Sequence, residues 1–214
     1  MFRSDFPIFS THPNLVYLDS ASTAQKPKMV QDAMREIMQE KYANIHRGSY
    51  ILSEMSETLY EDSKELVRKM IGAESRHEII YSYNATYASN LLARSLVKSW
   101  ILLQGERVLL SLLEHHANIV PWQILAEEYG IIIEWVAVTE DGRIDYKDLE
   151  KKLPWAKLVS LSAASNVTWS VLDFEKVSSL LSDLPVRPLF VVDASQGLPH
   201  FALDVVGYGR SEEH

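Results

Sequence analysis

Asp193 comes directly after Leu189-Phe190-Val191-Val192, an apolar run predicted to form a strand buried on both faces of a parallel sheet. A carboxylate just past the end of such a strand is costly in its low-dielectric setting unless it meets a cation, such as a protonated pyridine nitrogen. The plainer alternative is that Asp193 caps the next turn or accepts backbone amides. Glu114-His115-His116 follow another strand-like run ending at Ser111. His115 there can stack its ring on a planar ligand, and Glu114, His115, His116 and His200 are of types that bind metals. Neighbouring residues of an extended segment point opposite ways. Metal binding therefore ranks below the other readings, and one histidine buried with the other exposed stays open. Asn84-Ala85-Thr86 stands where a helix is predicted to begin, a place whose free amides and dipole favour a phosphate. The alternative is ordinary N-capping by Asn84. Asn166, after the run Lys157–Ala163, is on its own an unremarkable turn residue.

The elements that must position these residues can be read from the pattern. Pro27 opens a helical periodicity through about Tyr42, carrying Val30, Ala33, Met34, Ile37 and Met38. After the loop ANIHRGSY a second helix is predicted from Ser53 or Ser56, either of which can cap it, to a stop at Gly72. Strands and helices then alternate. Strands are predicted at Glu78–Ser82, Arg107–Ser111, Ile131–Val138, Lys157–Ala163 and Leu189–Asp193. Helices are predicted at Thr86–Trp100, Ala117–Tyr129 with a stop at Gly130, Asp145 to about Leu153, and Phe174–Ser182. This alternation implies parallel βαβ units, a three-layer α/β/α domain with a mostly parallel sheet. In such sheets ligands bind beyond the carboxyl ends of the strands, and Asn84, His115, Asn166 and Asp193 all fall there. A helical N-terminal segment, 1–75, precedes an α/β core, 76–214.

Composition narrows the function classes. The 214 residues are 47% hydrophobic and 23% charged, with a net charge of −8, ordinary values for a globular domain. That charge argues against nucleic acid or an anionic membrane as the main partner. No stretch reaches the ~18 apolar residues of a membrane span, and the N-terminus lacks the apolar core of a signal peptide. A cytoplasmic protein is the expectation. Cysteine is absent, which removes disulfides, thiolate metal sites and thiol nucleophiles from this chain.

In this order the segments YLDSASTAQKP (17–27), NIHRGSYILSE (44–54), EHHANIVPWQILAE (114–127), TEDGRIDYKDLE (139–150), SNV (165–167) and VVDASQGLPH (191–200) resemble the large domain of the class V aminotransferase family. The likeness is greatest to the SufS-type cysteine desulfurases. It implies the pyridoxal 5'-phosphate (PLP) transferase fold and that cofactor. Asp193 would pair with the pyridine nitrogen, Gln196 would hydrogen-bond the phenolic oxygen, and His115 would stack on the ring. Asn166 would lie near the substrate carboxylate and the ring oxygen, and Thr86 would bind the phosphate.

Departures from the family pattern set further expectations. The family's Gly-Thr-Thr phosphate turn reads Asn84-Ala85-Thr86 here, one hydroxyl fewer, with asparagine where glycine can take positive φ. The N-terminal Asn-Ala-Ala-Thr-Thr reads Ser20-Ala21-Ser22-Thr23-Ala24. The last lysine is Lys176, whereas the family's Schiff-base lysine lies in a Ser-x-His-Lys segment beyond the position of Gln196. The nucleophilic cysteine and the arginine for the substrate carboxylate belong to a C-terminal domain. The expectation is a truncated desulfurase homologue, inactive alone, with PLP binding weak or absent. The alternatives are half of a split enzyme completed by another polypeptide, or a non-catalytic scaffold. A homo-oligomer covering an exposed sheet edge is also expected.

Overall fold

A computed structural model describes residues 2–209. The chain divides into two compact units, 1–67 and 68–214. In the first, a short helix α1 (Ile8–Thr11) and α2 (Lys28–Glu36) precede a π-helical turn, Ile37–Lys41, and the start of α3 (Ile51–Ile71). The predicted 27–42 helix is thus an α-helix that loosens over its last turn. Its apolar stripe forms as spaced, yet Met34 and Met38 remain more than half exposed. Neither Ser53 nor Ser56 caps α3, which begins at Ile51. Both serines instead tie the helix to the preceding loop, Ser53 Oγ donating to the Asn44 carbonyl at 2.6 Å and Ser56 Oγ accepting from the Ala43 amide at 3.1 Å. Gly48 makes that fit possible, since a Cβ there would sit 2.2 Å from Ser53 Oγ.

The second unit holds a four-stranded parallel sheet in the order β2-β1-β3-β4: β1 (Arg107–Ser111), β2 (Ile132–Val136), β3 (Ala156–Ser162) and β4 (Leu189–Asp193). Alternation along the strands sends their side chains to two separate cores. Leu109, Val159 and Leu161 pack with α6 (Tyr146–Lys152) and α7 (Phe174–Ser182) on one face. Val108, Leu110 and Leu158 pack with α4 (Ala85–Lys98) and α5 (Val120–Tyr129) on the other. The result is the three-layer α/β/α arrangement expected of βαβ units. A last short helix, α8 (Val205–Gly209), follows. No helix among the described residues is long and apolar enough to cross a membrane.

Local signals act as their chemistry suggests. Asp145 accepts the amides of Lys147 and Asp148 at 2.9 and 3.2 Å, capping α6, and Gly130 ends α5 at φ +69°. Two strand expectations are corrected. The predicted strand Glu78–Ser82 does not form: a 3₁₀ turn at Arg76–Glu78 is followed by residues that belong to no strand. Ile79 is buried while Ile80 and Tyr83 are 80% and 91% exposed, and the segment is not among the strands that pair in the sheet. β4 is not sealed on both faces either. Among the described residues it is one of the two outer strands of the sheet, with Leu189 exposed and Phe190–Asp193 half-buried.

Leu161 is fully buried against α6 and α7. Leu161→Ala is expected to lower the unfolding free energy by about 2–5 kcal/mol in urea titrations, while Asp145→Ala should cost about 1 kcal/mol through loss of the α6 cap.

Candidate cofactor site at the strand ends

Because the four strands are parallel, the turns after Ser111, Ser162 and Asp193 leave the sheet along one edge, and α4, which runs back before β1, begins there. A cavity of about 570 Å³ opens at this edge, within the ~300–1,000 Å³ typical of small-molecule sites. Asp193 at the end of β4 and Ser195 after it, Asn118 after β1, and Ala85 and Ser89 of α4 line it, together with apolar residues such as Val191, Leu92 and Leu198. Asp193 Oδ1 accepts from the Ser195 amide at 3.0 Å and from Ser195 Oγ at 2.6 Å. The turn-capping role foreseen as the alternative is therefore real, and it uses one of two carboxylate oxygens.

The other four singled-out residues lie at the same edge, Thr86 in α4 and the rest in loops, but not in the cavity wall. Thr86 is exposed in the first turn of α4, one position after the lining Ala85. Asn84 does cap that helix, its Oδ1 accepting from Tyr87 N at 2.8 Å. His115 is exposed, and its Nδ1 accepts from the Ala117 amide at 3.1 Å, capping the 3₁₀ turn His116–Asn118. Asn166 is exposed in the loop between β3 and α7. Gln196 is half-buried in the turn closed by Gly197 N donating to the Ala194 carbonyl at 3.0 Å. The possibility of one buried and one exposed histidine is corrected: both rings are exposed, with centroids 6.3 Å apart. His200 packs edge-on against Trp169 at 4.8 Å. Among the described residues no cluster of three or more His, Cys, Asp or Glu is placed to hold a metal.

Sequence reasoning underrated Glu114. Its side chain is buried, and its carboxylate accepts from Ser111 Oγ at 2.6 Å, Ser162 Oγ at 2.6 Å and Asn118 Nδ2 at 2.7 Å. Asn118 Oδ1 in turn accepts from Ser160 Oγ at 2.7 Å and Trp122 Nε1 at 3.4 Å. Burial pushes the Glu114 carboxyl above its ordinary range, and the Ser111, Ser162 and Asn118 hydrogen bonds oppose that shift in part. A signal was there to find: Ser111, Ser160 and Ser162 interrupt otherwise apolar strands, and buried hydroxyls seek partners.

The family model for aminotransferase class-V matches residues 16–210. The chain belongs to this family. It is 37% identical to a probable cysteine desulfurase of Streptomyces coelicolor, over 95% of this chain and 50% of that one. It is 32% identical to the cysteine desulfurase SufS of Plasmodium falciparum, over 95% of this chain and 38% of that one. Among solved structures, the apo cysteine desulfurase of Thermococcus onnurineus NA1 superposes with a TM-score of 0.87 at 33% identity, over 95% of this chain and 49% of the other. The chain thus spans about half the length of the relatives it matches, and the fold expected for the family is the one observed.

A carboxyl whose folded pKa is raised holds more protons in the fold than when unfolded. The contribution of Glu114 to stability is therefore full below the ordinary value of 4.5 and falls as pH rises through the folded value. Asp148, held low by Lys152, contributes in the opposite sense, so the comparison with Glu114→Gln isolates the Glu114 effect. Urea titrations from pH 4 to 8 are expected to show the stability of Glu114→Gln gaining on that of the wild type as pH rises.

Proposed function

We propose that these 214 residues build the cofactor-facing half of a PLP-dependent, cysteine-desulfurase-like enzyme. On this reading, desulfuration requires an amine and a thiol from outside them. The observation that carries it is the shared cavity: Asp193 and the first turn of a 14-residue helix, α4, line the same space. That donor set suits a planar cation bearing an anionic arm. A carboxylate answers a protonated ring nitrogen, and the first-turn amides of a helix, which have no partner inside the helix, answer a phosphate. The residues fit PLP, less fully than the family pattern would at Asn84-Ala85-Thr86.

When bound, PLP supplies an electron sink for bonds broken at the substrate carbon next to the amine. The chain's own residues bind and orient. Asp193 Oδ1 stays tied to Ser195, and the carboxylate of this lining residue would keep a ring nitrogen protonated. His115, Asn166 and Gln196 stand in loops at the same edge and Thr86 in the first turn of α4, where modest movement on binding would bring them to the ring and phosphate, as the resemblance implies. Without cysteine in these residues, no sulfur can be taken up by a thiol of this chain, which supports the reading that the chain alone does not turn over.

A partner completing the sheet is the natural corollary. Among the described residues β4 is an outer strand of the sheet, and Ile80 and Tyr83 are exposed beside the start of α4. Such edges recruit strands, which favours completion by another polypeptide segment, or coverage by a second copy of this chain, over an inert scaffold.

Titrating PLP into the purified chain, followed by intrinsic fluorescence, tests the cofactor half of this reading. Saturable binding is expected, weakened by roughly tenfold or more in Asp193→Ala because a charge-assisted hydrogen bond is lost. Equal affinity in the variant would remove Asp193 from the site. Alanine and sulfide release from cysteine by the chain alone is expected to be absent, and finding it would overturn the need for outside residues.

A further inference from the structure

We propose that Glu114 is the positioning residue of this site, a buried staple that holds the His115 turn and the Asn118 amide against the ends of β1 and β3. The hydrogen bonds do not depend on the cofactor reading; only the ligand-binding arm of the test below rests on it.

The geometry separates Glu114 from a residue that would touch a ligand. It does not line the large cavity. The void beside it measures about 10 Å³, room for at most one water. All three side-chain donors to it are neutral and come from three elements: Ser111 ends β1, Ser162 ends β3, and Asn118 ends the 3₁₀ turn before α5. A carboxylate is the one side chain that offers only acceptors in a two-oxygen fork. Here Oε1 takes Ser111 while Oε2 takes Ser162 and Asn118 together.

The consequences reach the site by two short routes. His115 is the next residue, and the amides of Ala117, Asn118 and Ile119 close the turn that carries it. Asn118 is a wall residue of the cavity, and its amide cannot turn, because Nδ2 donates to Glu114 while Oδ1 accepts from Ser160 and Trp122. Losing the staple frees both the loop and the wall without removing any group that faces a ligand.

Glutamine can replace the staple. Its oxygen can accept from Ser162 and Asn118 while its NH₂ donates to a rotated Ser111 hydroxyl. Alanine leaves Ser111, Ser162 and Asn118 without that partner. The test therefore compares wild type, Glu114→Gln and Glu114→Ala by hydrogen exchange of residues 115–119 and by PLP titration, well below each melting temperature. Glu114→Ala is expected to lose exchange protection over 115–119 and to bind PLP roughly tenfold more weakly, with Glu114→Gln restoring both. Should Glu114→Ala not fold, Ser162→Ala, which removes one donor, is expected to show the same losses in smaller degree. Unchanged protection in Glu114→Ala or Ser162→Ala overturns the proposal, and so does an unchanged PLP affinity when the wild type binds. If the wild type binds no PLP at all, the cofactor reading fails, and the exchange arm still decides the staple.

Discussion

The polar groups of this site hang from one pairing, β1 beside β3. Val108–Leu110 and Leu158–Leu161 are sealed on both faces between two helical layers. Within that layer a polar side chain survives only where it finds a partner. Both strands reach the sheet edge as serine, Ser111 and Ser162, and Ser160 sits beside Leu110 in register. Both strands end at the same edge of the sheet, and the Glu114 carboxylate bridges the two terminal hydroxyls. The buried network of Glu114, Asn118, Ser160 and Trp122 hangs from those strand ends, and Asn118 joins it to the cavity that Asp193 and α4 share.

Much of the α/β unit was legible because its local and tertiary preferences agree. The strands Arg107–Ser111 and Leu189–Asp193 and the helix Phe174–Ser182 have the bounds that their apolar runs and caps suggest. Asn84 and Asp145 cap because a short acceptor at a helix start satisfies amides that nothing else can. What sequence could not supply was the presence of neighbours. Residues 78–82 have the composition of a strand, but a strand is a relation between two segments. β4 is as apolar as a central strand, yet composition states a preference for burial, not whether a layer is there to provide it. The start of α3 was misplaced for a related reason, since Ser53 and Ser56 bond to a loop before the helix instead of to its own amides.

The site divides in the same way. That Thr86, His115, Asn166, Asp193 and Gln196 stand at one edge was foreseeable from the order of strands and loops alone. Which of them face the cavity was not, because that depends on loop packing: Ala85 reaches it and Thr86 does not, Asn118 reaches it and His115 does not. The depth of Glu114 was hidden for the opposite reason. Next to two exposed histidines it reads as a surface charge, and only the fold brings Ser162, 48 residues away, against it.

Asp193 reconciles two roles that sequence set against each other. Asp193 caps the turn through Ser195 and also lines a mostly apolar cavity, a setting in which a carboxylate favours a cationic partner. A crystal structure of the chain soaked with PLP tests this most directly. The account expects the ring nitrogen within hydrogen-bond distance of Asp193 and the phosphate at the first turn of α4. A cofactor bound elsewhere, or with its ring nitrogen turned away from Asp193, would contradict it.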